Sequence, residues 1–182
     1  MTPICGPRPA ASGISLVEFL LLQGDSVLVG AGMRLRAAFG RAGITARKHE
    51  GDGATPAGLL RLVRVLYRAD RLKPPACSVP LEPIGPHDGW CDDASHPAYN
   101  KPVRLPCAAR HEALWREDHV YDVIGVLDWN LAPAARGRGS AIFFHVATPD
   151  YAPTAGCVAL ALPDMLAALE AGLSAIMVPV PA

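Results

Sequence analysis

The stretch AIFFHVATPDYAPTAGCVAL, residues 141–160, contains the features on which the fold and the chemistry depend. Residues 141–146 are apolar apart from His145 and predict a buried β-strand that leads directly into the histidine. A rigid strand can hold the imidazole in one direction. The polar loop that follows is long enough to turn back and bring Cys157 beside His145.

A thiol beside an imidazole can transfer its proton to the ring, which lowers the pKa of the cysteine and creates a nucleophile near neutral pH. Gly156 allows the backbone to approach a substrate closely, and the amides around it, including that of Cys157, are candidate donors to an oxyanion. The alternative is that Cys157 is a small core residue, which is the commoner role of a cysteine in an apolar segment.

The pattern formed by His145, Thr154, Gly156, Cys157 and the apolar Val158 resembles the active-site signature of the L,D-transpeptidase catalytic domain of YkuD type. Residues 55–58, Thr-Pro-Ala-Gly, resemble a turn of the same family, and a closing helix and strand also fit. The resemblance extends from about Leu35 to the C-terminus and is weakest between residues 70 and 115. It implies that Cys157 is the nucleophile, His145 its base and Gly156 part of the catalytic loop.

Three positions differ from the usual pattern of that family. Ala155 replaces a His, Lys or Gln, Ala159 replaces an Arg or Asn, and Val146 replaces a glycine. These changes leave the base and the nucleophile in place but affect residues that would contact charged groups of a substrate. Together with the segments around residues 50–56 and 88–93, they resemble a divergent proteobacterial branch associated with 1,3 cross-links, from L-alanine to diaminopimelate.

The function implied by the resemblance is that of a peptidoglycan L,D-transpeptidase, which joins two stem peptides through a cysteine thioester. Donor and acceptor stems would be its partners, with no metal and no organic cofactor. An L,D-carboxypeptidase or endopeptidase would use the same residues with water as the acceptor. A catalytically silent peptidoglycan-binding module is the third possibility, and the presence of both His145 and Cys157 argues against it.

Further substrate-binding candidates are polar or aromatic residues near the signature or in loop-like segments. They are Thr154, Tyr121, Asn130, Trp90, Tyr99, Asn100 and Arg138. Each has an ordinary alternative: Tyr121 as a strand aromatic, Arg138 as part of a solvated Arg-Gly-Arg-Gly turn. Lys48 and Glu50 are expected only to decorate the turn before Thr55.

The fold expected is mainly β (mixed α+β): a YkuD-like curved β-sandwich with long loops and a short C-terminal helix. Residues 14–22 and 26–29 predict a hairpin, and strands are expected at 33–39, 60–67, 119–127, 141–146 and 175–180. Pro163 and Gly172 bracket the predicted helix. Residues 70–112 are rich in proline and predict a long irregular region.

Composition limits the remaining possibilities. The 182 residues suit one domain, predicted at 13–182 after a loose leader at 1–12. Seventeen basic residues balance seventeen acidic ones, which gives no reason to expect a nucleic-acid partner. No apolar run is long enough to span a membrane. We expect a monomer.

Compartment and cysteine state are less constrained. The implied substrate lies in the periplasm, although no signal peptide is visible, and the cytoplasm is the alternative. Five cysteines without a Cys-x-x-Cys pair leave disulfides among Cys5, Cys77, Cys91 and Cys107 open. A scattered metal site from Cys77, Cys91, His87 and His96 is a remote alternative.

Overall fold

The computed structural model describes residues 17–180, which form fourteen strands and one helix. The strands in chain order are β1 Val17–Leu22, β2 Val27–Gly30, β3 Met33–Ala38, β4 Ile44–Thr45, β5 Thr55–Pro56, β6 Gly58–Tyr67, β7 Leu81–Pro83, β8 Asp88–Cys91, β9 Pro102–Arg104, β10 His111–Ala113, β11 Val123–Leu127, β12 Phe143–Val146, β13 Val158–Leu160 and β14 Leu173–Val178. The helix α1, Leu162–Glu170, lies between β13 and β14 in the chain. The expected mainly β class with a short C-terminal helix is confirmed.

Two strands change partners along their length, and this closes the main sheet. β3 pairs with β2 through residues 33–36 and with β13 through residues 37–38. β6 pairs with β14 through residues 58–61 and with β11 through residues 62–67. The pairings therefore run in a circuit, β11-β12-β13-β3-β2-β1-β14-β6 and back to β11. Strands that pass between sheets in this way form the corners of a curved sandwich.

The interior of the sandwich is the main core. It is formed by buried residues that include Phe19, Leu21, Leu28, Leu60, Val65, Val123, Leu127, Phe144, Val146, Val158, Leu160, Met165, Leu169 and Ile176. Successive side chains of a strand point to opposite faces, so the neighbours of these residues leave the core on the other side. On β11 and β12 those neighbours are buried as well, which requires a second layer.

That second layer is the small sheet β10-β8-β9. Most of its residues belong to the segment 70–112, which was expected to be irregular. Between it and β11–β12 lies the second cluster, comprising Leu66, Ile84, Trp90, Leu114, Tyr121, Ile124, Val126, Ala141, Phe143 and Cys157. The expectation of a long irregular region was wrong in this part. Strands of three or four residues are too short to show an alternating pattern, and Pro102 and Gly89 are residues that usually argue against a strand.

Most of the strands predicted outside this region are present. β1 and β2 form the predicted hairpin, and β3, β6, β12 and β14 lie where strands were expected. The strand predicted from residue 119 begins only at Val123, because residues 119–122 form a turn in which His119 has a positive φ of 66° and its carbonyl oxygen accepts from the amide of Asp122. The helix begins at Leu162, one residue before Pro163. The proposed leader at 1–12, residues 13–16 and Cys5 lie outside the described residues.

Within residues 17–180, Cys77, Cys91, Cys107 and Cys157 carry free thiols. This range contains no group of three or more His, Cys, Asp or Glu side chains placed to hold a metal ion, so the alternative site at Cys77, Cys91, His87 and His96 is not formed. No helix within the same range is long and apolar enough to cross a membrane.

Candidate active site

The strands β12 and β13 bring His145 and Cys157 onto one face of the sheet. They run parallel, with Phe144 opposite Val158 and His145 opposite Ala159. Cys157 immediately precedes β13 and therefore lies beside Phe143, two residues before His145 on the same face. From the spacing of strands and residues, the two Cα atoms are roughly 8 Å apart. At that separation two side chains on the same face can reach a shared substrate.

The Cys157 thiol is held by two backbone groups at the start of β12. The amide of Phe143 donates to Sγ at 3.3 Å, and the thiol donates to the carbonyl oxygen of Ala141 at 3.3 Å. Only 8% of the residue is exposed. These contacts fix the direction of the sulfur, and the Phe143 amide supplies a hydrogen bond that a thiolate would strengthen.

Burial raises the pKa of Cys157 to about 12. The negative charge of Glu112 acts in the same direction, while the Phe143 amide and the positive charge of Lys48 oppose it. The expected lowering of this pKa was wrong for the structure as it stands. A thiol removed from water loses the solvation of its charged form, and here that loss outweighs the favourable contacts.

His145 has a defined tautomer. Its Nδ1 lies 2.9 Å from the carbonyl oxygen of Val146, which can only accept, so Nδ1 carries the proton and Nε2 keeps its lone pair. Burial lowers the pKa of the imidazole, the Val146 hydrogen bond raises it, and the charge of Arg116 lowers it further. The ring is therefore neutral near neutral pH, which is the form that a general base needs.

An aromatic side chain joins His145 to the second cluster. The ring of Tyr121 meets the His145 ring edge to face, with centroids 5.5 Å apart, and meets the Phe143 ring in the same way at 6.1 Å. The Tyr121 hydroxyl donates to Glu112 at 2.5 Å. Tyr121 is buried, so it orients the imidazole from behind rather than from the solvent side.

The loop before Cys157 is closed by Thr154. Its hydroxyl accepts from the Gly156 amide at 3.1 Å and donates to the carbonyl oxygen of Cys157 at 2.7 Å. Gly156 has a φ of 137°, and a Cβ there would lie 2.8 Å from the carbonyl oxygen of Ala54. Only glycine combines this conformation with this close approach. The Gly156 amide is thus used inside the loop.

The comparison with known families agrees with this geometry. The family model for YkuD, the L,D-transpeptidase catalytic domain, matches residues 17–171. The chain belongs to this family. None of the curated proteins compared with the chain matches it. Membership implies peptidoglycan as the class of substrate, and the matched residues contain both His145 and Cys157.

Three candidates for substrate binding lie beneath the site of this L,D-transpeptidase family domain. Trp90 and Asn100 are each 2% exposed. The Trp90 indole donates to the Asn100 side-chain oxygen at 3.0 Å, and the same oxygen accepts from the amide of Ala141 at 3.0 Å. Tyr99 is also buried, and its hydroxyl donates to Glu50. These side chains support the segment whose Ala141 carbonyl oxygen accepts the hydrogen bond of the thiol, and all three are buried with their polar groups bonded within the fold.

The last two candidates belong to a turn ahead of β12. The Asn130 side chain bonds the backbone of Ala135 and Gly139 at 2.7 to 2.9 Å, which fully occupies it. Arg138 has an exposed side chain, and its carbonyl oxygen accepts from the Trp129 indole at 2.8 Å. Of the two, only Arg138 presents a charged group to solvent.

Sequence reasoning missed three charged residues around the site. Lys48, expected on the surface of a turn, is 2% exposed and pairs with Asp52. Glu112 comes from β10 and binds Tyr121. Arg116 lies with its guanidinium carbon 5.0 Å from the centre of the Tyr121 ring and donates to Asp118 at 3.0 Å. None of them lies in a recognisable motif, so only their position in the fold reveals them.

Proposed function

We propose that the chain is a peptidoglycan L,D-transpeptidase in which Cys157 forms a thioester with a stem peptide and His145 acts as its base. One observation supports this most directly. A neutral imidazole, with its lone pair on Nε2, and a thiol lie on the same face of two adjacent strands. Membership of the L,D-transpeptidase family supports the substrate class.

The first half-reaction is acylation. His145 Nε2 takes the thiol proton as Sγ attacks the carbonyl carbon of an L-configured residue in the donor stem. Because the pKa of Cys157 is raised and that of His145 is lowered, a resting thiolate–imidazolium pair is unfavourable. We therefore infer that proton transfer accompanies the attack. The amide of Cys157 is the proposed oxyanion donor, since that of Gly156 is bound to Thr154.

Acylation ends when the protonated His145 gives its proton to the departing amine as the carbon–nitrogen bond breaks, which leaves the thioester and a neutral His145. In the second half-reaction the side-chain amine of diaminopimelate on a second stem attacks the thioester, and His145 receives its proton. The carbon–sulfur bond then breaks, His145 returns the proton to Cys157, and a new amide bond joins the two stems. Water in place of the amine gives hydrolysis, the reaction of a carboxypeptidase or endopeptidase.

The bond that we propose is of the 1,3 type, from L-alanine to diaminopimelate. Ala159 lies directly opposite His145, where the family pattern has Arg or Asn, and Ala155 precedes Gly156. An alanine at each position lacks the polar group that the family pattern has there, so the donor stem loses that contact and can bind in a different register. The periplasm is the compartment we propose from the substrate, with turnover fragments in the cytoplasm as the alternative.

The test is to incubate the parent protein and its Cys157→Ala variant with purified muropeptides and to identify products by fragmentation mass spectrometry. A dimer formed only by the parent is expected, and its fragments distinguish a 1,3 from a 3,3 bond. Cleaved monomers without dimers would move the assignment to a hydrolase. If no product depends on Cys157, and a carbapenem does not acylate the residue, the enzyme assignment fails and a binding module remains.

A further inference from the structure

The buried ammonium group of Lys48 lies in the turn formed by residues 48–55, which packs against the segments on either side of the nucleophile. Lys48 Nζ donates to the carbonyl oxygen of His49 at 3.0 Å and pairs with Asp52, while its side chain is 3% exposed. Asp52 also accepts from the amides of His49 and Ala54, at 2.8 and 2.9 Å. Asp52 is therefore bonded to the backbone of the turn independently of Lys48, and because burying an ion pair is seldom stabilising in itself, the buried ammonium indicates a role beyond holding the turn.

The turn contacts both segments that hold Cys157. At one end, the carbonyl oxygen of Ala54 lies against Gly156, and the Thr55 hydroxyl is 3.5 Å from the carbonyl oxygen of Cys157. At the other, Glu50 accepts from the Ser140 hydroxyl at 2.8 Å, next to Ala141, whose carbonyl oxygen accepts the hydrogen bond of the thiol.

The Lys48 side chain packs against Gly139, in the segment that leads into β12. A Cβ built on Gly139 would meet its Cγ at 3.0 Å and its Cε at 3.1 Å. The stem of Lys48 is therefore packed tightly against the segment that leads into β12, which restricts the position of the ammonium group.

The charged and titratable groups around Cys157 come from several elements. Lys48, Glu50 and Asp52 belong to the turn, where Asp52 pairs with Lys48, while Glu112 belongs to β10, Tyr121 to the segment before β11, and His145 to β12. The Tyr121 hydroxyl is hydrogen-bonded to Glu112, so a carboxylate group lies on the far side of the ring that orients His145. Burial contributes most to the raised pKa of Cys157, the charge of Glu112 adds to it, and the charge of Lys48 opposes it.

We propose that Lys48 is a positioning residue for catalysis, whose buried ammonium stabilises the negative charge that develops at Cys157 during attack and offsets the charge of Glu112. This inference rests on the proposed function, since it assigns a role in forming the nucleophile. The ammonium of Lys48 is bonded to His49 and Asp52, so it acts on the sulfur only through the electrostatic potential.

The test measures alkylation of Cys157 by iodoacetamide, a neutral reagent, from neutral to alkaline pH. Peptide mass spectrometry separates Cys157 from the other cysteines. Lys48→Met keeps the packed stem and removes the charge, so alkylation near neutral pH should slow by roughly three- to tenfold, with the profile displaced to higher pH. Glu112→Gln keeps an acceptor for Tyr121 and should speed alkylation by a similar factor.

The matched control is Asp52→Asn, which breaks the same ion pair but keeps the ammonium. If Lys48 acts by its charge, this variant is alkylated no more slowly than the parent. Equal slowing in Lys48→Met and Asp52→Asn, with equal losses of thermal stability, would mean that Lys48 only holds the turn. A Lys48→Met profile identical to that of the parent would also overturn the proposal.

Alkylation requires no peptidoglycan, so the two hypotheses can fail separately. If muropeptides give no Cys157-dependent product while the alkylation rates change as expected, the proposed function fails and the effect of Lys48 on the thiol remains. If cross-links form but the Lys48→Met profile does not move, this inference alone fails.

Discussion

The main core and the second cluster share the strands β11 and β12 but contain different kinds of side chain. Phe144 and Val146 enter the main core, which is held by apolar contact. Phe143 enters the second cluster, where aromatic and sulfur groups also make hydrogen bonds: Trp90 to Asn100, Tyr121 to Glu112, and Cys157 to Ala141. Apolar contacts are non-directional, whereas hydrogen bonds specify orientation. The main core therefore provides most of the stability, and the second cluster provides the geometry of the site.

The largest effect is expected in the main core. Phe144→Ala removes a fully buried ring from the main core and should lower the free energy of unfolding by about 3–5 kcal/mol. Denaturant unfolding measures the change, with Val63→Ala as a control on an exposed side chain of β6. A loss below about 1 kcal/mol would mean that the core relaxes around the cavity and that shape matters less there than we propose.

The next largest effect is expected at the loop before the nucleophile. Gly156→Ala introduces a Cβ 2.8 Å from the carbonyl oxygen of Ala54 at a φ of 137°, and should cost about 2–3 kcal/mol and displace Cys157. Gly137→Ala is the matched control, since it also has a positive φ, 74°, but has open space around the new Cβ.

Stability and carbapenem acylation are measured for both glycine variants. The control should lose about 1 kcal/mol and keep its acylation rate. If both variants acylate as the parent does, the close approach of Gly156 to Ala54 is not needed to position the thiol.

A pair of conservative substitutions tests the difference between the two clusters directly. Phe143→Leu and Phe144→Leu remove similar volumes from neighbouring positions of β12, and each should cost about 1–1.5 kcal/mol. Only Phe143→Leu removes the ring that meets Trp90 and Tyr121 edge to face. Its carbapenem acylation rate should fall roughly tenfold, because a small displacement of the thiol or imidazole is costly. Equal acylation rates in both variants would contradict the division of roles.

The effect that is smallest near neutral pH is a difference in stability that develops in alkali. The pKa of Cys157 is about 12 in the folded protein and about 9.0 when exposed, so its contribution is complete below the lower value and is lost as the pH rises towards the higher one. The free energy of unfolding of the parent should therefore fall more steeply above pH 9.0 than that of Cys157→Ala. Parallel curves would show that the thiol is not desolvated in the folded state.

Much of the scaffold of the site was predictable from local patterns. The apolar run ending at His145 and the hairpin near the start of the chain predicted β12, β1 and β2, because alternation and turn residues act over a few neighbours. The signature around Thr154 and Cys157 predicted the family correctly. The small sheet was missed because β8, β9 and β10 are stabilised by pairing with each other and by Trp90, which are contacts distant in sequence.

Burial of polar residues was the least predictable property of the site. Trp90, Tyr99 and Asn100 were expected to face a substrate, since their segment is polar and aromatic, yet they lie under β12 with their hydrogen bonds satisfied by the fold. Lys48 was expected on the surface because it lies in a turn, yet it is buried. The exposure of a side chain depends on which other segments of the chain cover it. Local composition carries no information about those segments.

The sequence by itself determined the order of the functional groups: a strand ending at His145, a loop closed by Thr154, and a glycine before Cys157. These features depend on residue type and short-range spacing. Only the tertiary structure decided the electrostatics of the thiol, because the pKa of Cys157 depends on its burial and on Glu112 and Lys48, which approach it from distant parts of the chain. Solvation and charge act through space, so they are known only once the chain has folded.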